Sequence, residues 1–136
     1  MSKPIPPISK YMTTSPRTAE GSATLASAAQ IMKEGGIRHL PVVDGQKLLG
    51  IITDRDIRFV ESFQDVDPTE LTLEEAMTEE PYTVSPDTSL DEVATTMAEQ
   101  KYGSAIIVQN DHVVGVFTTV DACRALAELL STRLRK

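Results

Sequence analysis

Gly50-Ile51-Ile52-Thr53-Asp54-Arg55-Asp56 reads as an apolar strand that ends in a hydroxyl, followed by a short turn and a carboxylate. Gly115-Val116-Phe117-Thr118-Thr119-Val120-Asp121 repeats it 65 residues later, with glycine, two apolar residues, threonine, two free positions and aspartate. Ile51 and Ile52 have the pattern of a buried strand end. Thr53 falls where strand gives way to helix, and Asp56 falls in the first turn of that helix. A hydroxyl there caps the helix by accepting a backbone N–H, and a carboxylate there is favoured by the helix dipole. The same groups can also serve a ligand. A carboxylate accepts two hydrogen bonds from a vicinal diol such as ribose, and the N–H groups of a helix start attract phosphate. One turn of chain thus offers either plain capping or recognition of a ribose phosphate, and its duplication favours the second.

Working outward, the two halves align at the same offset without a gap. Met12 pairs with Met77, Thr13 with Thr78, Pro16 with Pro81, Thr18 with Thr83, Leu25 with Leu90, Ala29 with Ala94 and Met32 with Met97. In the first half, Ile8 to Met12 predicts a helical turn and Arg17-Thr18-Ala19 an extended segment. Leu25, Ala28, Ala29 and Met32, spaced as one face of a helix, follow candidate caps Ser22 and Thr24 and precede the stop Gly35-Gly36. Residues 37–43 and 47–52 predict a hairpin turned at Asp44-Gly45, and a second helix runs from about Asp54 to Val60. The second half replays this order. Ser89-Leu90-Asp91-Glu92 has the form of a capping box, Leu90, Val93, Ala94 and Met97 form the core stripe, and the last helix runs from about Thr119 to Leu134. Residues 1–7 read as an irregular Pro-rich leader, 61–72 as an acidic linker and 131–136 as a basic tail. The repeats are expected at 8–60 and 73–130.

The chain has 136 residues, 40% of them hydrophobic and 24% charged, an ordinary globular mix. Its net charge of −7 argues against binding DNA or RNA by phosphate neutralisation. The absence of Trp and an aromatic content of 4% argue against a stacking platform for single strands. The single cysteine, Cys123, excludes an internal disulfide and a Cys-cluster metal site, and its apolar neighbours suggest a small core residue. His39 and His112 lack a third ligand at a zinc spacing. With no secretory h-region and no apolar run of membrane-spanning length, the protein is expected in the cytoplasm.

The ordered set of motifs, a Met-Thr start, a Leu-Pro-Val-Val-Asp strand and a closing Gly-apolar-apolar-Thr-x-x-Asp, resembles the cystathionine beta-synthase (CBS) domain. Two in tandem resemble a Bateman module, over nearly all of residues 8–130. The resemblance implies an α+β fold of two β-α-β-β-α repeats related by pseudo-twofold symmetry, with two clefts that bind adenosine compounds: AMP, ADP, ATP, S-adenosylmethionine or NAD. It assigns ribose and phosphate to Thr53 with Asp56 and to Thr118 with Asp121. Asp54, Arg55, Thr119 and Val120 would line the phosphates. Ile37, Arg38 and His39, with Tyr102, Gly103 and Ser104, would face the ligand. Thr18, Ala19 and Glu20, with Thr83, Val84 and Ser85, would cradle the adenine. The second half departs from the pattern: Ala105-Ile106 replaces Leu-Pro, and Val120 stands where Arg55 stands in the first. Arg38, His39 and Arg55 all belong to the first repeat.

The expected function is a regulatory, adenosine-nucleotide-sensing module that acts through dimerisation or on a partner protein, with no cofactor required. The repeats use almost the whole chain, so no effector domain is expected within it. Leu126, Leu129 and Leu130 on the last helix suit a homodimer. The rival is a structural or interaction protein with empty clefts. Catalysis is not expected, because there is no nucleophile–base pair, no P-loop and no metal cluster.

Overall fold

The computed structural model describes residues 4–133. Its elements recur at the 65-residue offset. A 3-10 turn, Ile8–Lys10, is followed by β1 (Thr13–Thr14), β2 (Ala19–Glu20), α1 (Leu25–Gly35), β3 (His39–Asp44), β4 (Lys47–Thr53) and α2 (Asp54–Glu61). Then come α3 (Leu73–Ala76), β5 (Thr78–Glu79), β6 (Thr83–Val84), α4 (Leu90–Gln100), β7 (Ser104–Gln109), β8 (His112–Thr118) and α5 (Thr119–Arg133). The mixed fold and the duplicated β-α-β-β-α order agree with the sequence. Among the described residues no helix is long and apolar enough to cross a membrane.

The chain divides into two compact units whose membership is not sequential. One holds Arg17–Pro81 with Asp111–Val113; the other holds, among the described residues, those up to Pro16, Tyr82–Asn110 and those from Val114 to Arg133. The start of each repeat therefore packs with the body of the other. In the Arg17–Pro81 unit β2 runs parallel to β3, β3 pairs antiparallel with β4, and β5 adds to β4 in the register Gly50↔Glu79 and Ile51↔Thr78. In the other unit β6 runs parallel to β7, β7 neighbours β8, and β1 adds to β8 in the register Thr13↔Val116 and Thr14↔Gly115.

The repeated glycines make room for these incoming strands. A Cβ on Gly50 would lie 2.5 Å from the Thr78 carbonyl oxygen and 2.7 Å from Met77 Sδ, and a Cβ on Gly115 would collide with Met12 Sδ. The motif glycine and the Met-Thr start are thus two sides of one contact, which accounts for their joint duplication.

The leader and the linker play equivalent parts. The first N–H groups of a helix have no partner inside it. Leu25 N, at the start of α1, donates to Leu71 O at 2.8 Å, and Leu90 N, at the start of α4, donates to Pro6 O at 2.9 Å. Thr24 bridges Thr72, and Ser89 bridges Pro7. Residues 6–7, within the expected irregular leader 1–7, and 71–72, within the expected acidic linker 61–72, are docked backbone that completes a helix end. α3 follows at once, with a capping box between Thr72 and Glu75.

One core gathers Leu25, Ala28, Met32, Leu40, Val42, Ile52, Ile57 and Leu73; the other gathers Ile8, Leu90, Val93, Met97, Ile107, Phe117 and Ala125. Three sequence expectations fail locally. Ser89 is the N-cap of α4, but its side chain makes no cap hydrogen bond, so no capping box forms there. At that end the Leu90 N–H is served by the leader, through Pro6 O. Ala94 is exposed, because α4 buries the narrower face of Leu90, Val93 and Met97. Cys123 is exposed too, because α5 turns Ala125 inward and Cys123 falls on the outer side. At the helix ends α1 stops on Gly36 with φ 63°, whereas α4 stops on Lys101 with φ 60°, a left-handed backbone adopted without glycine. The basic residues Arg135 and Lys136 of the expected tail lie outside the described residues.

Candidate functional site

In the Arg17–Pro81 unit, β4 delivers Thr53 to the start of α2, where Thr53 Oγ1 accepts from Asp56 N at 3.1 Å and Thr53 N donates to Asp56 Oδ2 at 3.0 Å. This reciprocal capping box is the plain reading of the motif, and it is present. It uses one carboxylate oxygen. Asp56 is half-buried, and among the described residues Asp56 Oδ1 accepts no hydrogen bond. The strand that precedes the hairpin brings basic groups to the same end. His39 stands opposite Thr53 across β3 and β4, and Asp54 N donates to Arg38 O at 3.0 Å. Burial lowers the His39 pKa below its ordinary value, Asp54 and Asp56 oppose that shift, and Arg38 adds to it. The His39 ring therefore lies within electrostatic reach of both carboxylates. Arg38 and Arg55 are exposed, and Asp54 pairs at the surface with Arg58 at 3.4 Å.

The other unit builds the same corner differently. Thr119 N donates to Gly103 O at 3.3 Å, matching the Asp54–Arg38 link. Asp121, however, is only 6% exposed. Its Oδ2 accepts from Thr118 N at 2.9 Å and from Thr118 Oγ1 at 3.3 Å. Its Oδ1 accepts from Thr13 Oγ1 at 3.1 Å and faces Arg124 Nη1 at 3.6 Å. Thr13 arrives on β1, the strand contributed by the start of the chain. Neither Thr13 nor Arg124 was among the residues expected from sequence at this corner. The duplicated Met-Thr start and the three-residue spacing from Asp121 to Arg124 were the available signals.

The structure gathers Ile37, Arg38, His39, Thr53, Asp54, Arg55 and Asp56 at one end of a single unit, where strand β3 begins and α2 starts. It gathers Gly103, Ser104, Thr118, Thr119, Val120 and Asp121 in the same way in the other. Thr18 and Glu20 flank and end β2 and are exposed, while Ala19 is buried. Glu20 points to the hairpin, where its Oε1 accepts from Gly45 N at 3.0 Å. Thr83 and Val84 form β6, opposite Ile106 and Ile107. Ser85 Oγ donates to Asp87 Oδ1 at 2.5 Å in a local turn. Tyr102 stacks on Tyr82 with centroids 5.3 Å apart. Among the described residues no group of three or more His, Cys, Asp or Glu side chains could hold a metal ion.

The CBS domain family matches the chain twice, over residues 8–62 and 73–128. An inosine-5′-monophosphate dehydrogenase of Korarchaeum cryptofilum is 31% identical over 117 residues, which is 85% of this chain and 23% of that protein. The chain thus spans under a quarter of that relative's length. Among solved structures, an acetoin utilization protein (AcuB) from Vibrio cholerae superposes with a TM-score of 0.88 at 30% identity, covering 98% of each chain. A CBS domain pair in complex with 5′-methylthioadenosine and S-adenosyl-L-methionine superposes with a TM-score of 0.82 at 32% identity, covering 92% of this chain and 98% of that one.

Proposed function

This chain belongs to the CBS domain family as two tandem repeats, and from that premise we propose that it is a regulatory module that binds an adenosine-containing ligand. The observation that carries this reading is the end of the first repeat. There a half-buried carboxylate with an uncommitted oxygen, Asp56 Oδ1, sits at a helix start beside Arg38, His39 and Arg55. A carboxylate with a vacant acceptor suits the ribose diol, and helix N–H groups with nearby guanidinium groups suit a phosphate. The 32% identical pair that holds two adenosine compounds supports this ligand class. AMP, ADP, ATP, S-adenosylmethionine and NAD are the candidates. A ligand changes the state of such a module by its differential affinity for two states, and the output passes to a second copy or to a partner protein in the cytoplasm. Exposed Leu126 and Leu130 on α5 offer a surface for that assembly.

Calorimetric titration of the full chain with adenosine and the five candidates tests the reading. Micromolar or tighter binding to at least one is expected. Asp56→Ala should lose about 1.5–3 kcal/mol, the worth of a hydrogen bond to a charged group, and Arg38→Ala with Arg55→Ala should weaken AMP more than adenosine. Absence of binding to every candidate would refute the reading.

A further inference from the structure

The two repeats carry the same Thr-x-x-Asp motif but leave its carboxylate in different states. A carboxylate offers about four acceptor directions on its two oxygens. At Asp121, two are taken by the Thr118 N–H and hydroxyl, one by the Thr13 hydroxyl at 3.1 Å, and Arg124 stands 3.6 Å from the remaining side. At Asp56, Thr53 N takes one direction and Oδ1 accepts nothing among the described residues. The twins of the two blocking groups do not block. Thr78, in the same strand register on β4 that Thr13 has on β8, donates no side-chain hydrogen bond among the described residues, and the position matching Arg124 is Phe59, which carries no charge. The backbone arrangement is shared, so the difference lies in side chains.

We infer that Thr13 is a specificity-determining residue of this module: its hydroxyl, seconded by Arg124, occupies the Asp121 carboxylate, so that Asp56 takes a ribose diol and Asp121 does not. A diol that approached Asp121 would have to displace a hydroxyl already in place, in a position that water scarcely reaches. At Asp56 it replaces only solvent. Thr13 belongs to the start of the first repeat yet acts on the motif of the second, so the strand exchange described above is what delivers it. The inference rests on the proposed adenosine-binding function and adds which carboxylate acts and what silences the other.

The test is titration of the full chain with adenosine and AMP. The unmodified chain is expected to take one equivalent. Asp56→Ala should weaken it at least about tenfold, as befits loss of a charge-assisted bond, and Asp121→Ala should change it by less than about twofold, since that carboxylate makes no ligand bond. Thr13→Val with Arg124→Ala should admit a second equivalent, which Asp121→Ala in the same background removes. Thr13→Ser, which keeps the hydroxyl, and Thr78→Val should stay at one. Should the Thr13→Val combination fail to fold, Asp121→Ala in the otherwise unmodified chain still decides: a loss there as large as that of Asp56→Ala overturns the inference. So do two equal sites in the unmodified chain, or one equivalent in the folded double variant. These outcomes leave the adenosine-binding reading standing, whereas no binding by any variant overturns both.

Discussion

Replacing the two motif glycines by alanine should give unequal losses of stability, because the obstacles differ in kind. At Gly50 the new methyl would lie 2.5 Å from the Thr78 carbonyl oxygen, a backbone atom held by the β4–β5 pairing, and 2.7 Å from Met77 Sδ. Relief requires β5 to move away from β4, and overpacking of that sort costs about 1–3 kcal/mol. Restricting the unfolded chain offsets about 0.4–1 kcal/mol where the backbone accepts alanine, which leaves a net loss of about 1–2 kcal/mol. At Gly115 the nearest atoms all belong to the Met12 side chain: Sδ, Cγ at 3.0 Å and Cε at 3.1 Å. Methionine is flexible, and pushing it off its preferred rotamer costs about 0.5–1.5 kcal/mol, nearly matched by the same unfolded-state gain. Urea denaturation should therefore show a midpoint lowered by roughly 0.5–1 M for Gly50→Ala, taking a slope of about 2 kcal/mol/M, and little change for Gly115→Ala. Double-mutant cycles sharpen the contrast. Met12→Ala should be strongly coupled to Gly115→Ala, while Met77→Ala should leave most of the Gly50→Ala loss in place, since the Thr78 carbonyl remains. Equal losses at the two glycines, or full rescue of Gly50→Ala by Met77→Ala, would show that side-chain crowding alone demands glycine here.

Lys101→Gly should stabilise the chain by about 1 kcal/mol, since a left-handed backbone costs a non-glycine residue that much or more, and Gly36→Ala should destabilise it by a similar amount; thermal melts of both variants check the pair. Ile8→Ala should cost about 2–4 kcal/mol, as for a buried aliphatic truncation, and hydrogen exchange should show the loss of protection in β7, β8 and α4 rather than in the β3–β4 hairpin that follows Ile8 in sequence. His39 is held below its ordinary pKa by burial, so the folded chain binds fewer protons than the unfolded chain between the two values. Its contribution to stability is complete above the ordinary value of about 6.5 and is lost as the pH falls through the lowered value. Urea midpoints measured from neutral to acidic pH should fall less steeply for His39→Gln than for the unmodified chain.

The duplication, the order of the elements and the hairpins were legible in the sequence because each rests on local chemistry. Leu25, Ala28 and Met32 are spaced as a helix face, Gly36 supplies a left-handed stop, and Thr53 with Asp56 forms a capping box within four residues. The resemblance of the motifs to one family reached further, and the twofold family match bears it out. What the sequence could not reveal are contacts between positions far apart along the chain. Nothing local in Pro6 or Leu71 shows that their carbonyls finish α4 and α1, and nothing local in Ser89-Leu90-Asp91-Glu92 shows that its capping box is left unmade. The glycine of each motif could be read only as part of a pattern; its physical cause, the strand from the start of the other repeat, is a tertiary contact. The same holds at the candidate site. The two motifs place Thr and Asp at the same spacing, and the state of each carboxylate is decided by what folding brings against it. Thr13 stands 108 positions from Asp121 and reaches it only because β1 pairs with β8. Spacing along a chain determines which groups share a turn of helix, but which carboxylate is satisfied and which is left open depends on long-range packing, and that is settled only in the folded molecule.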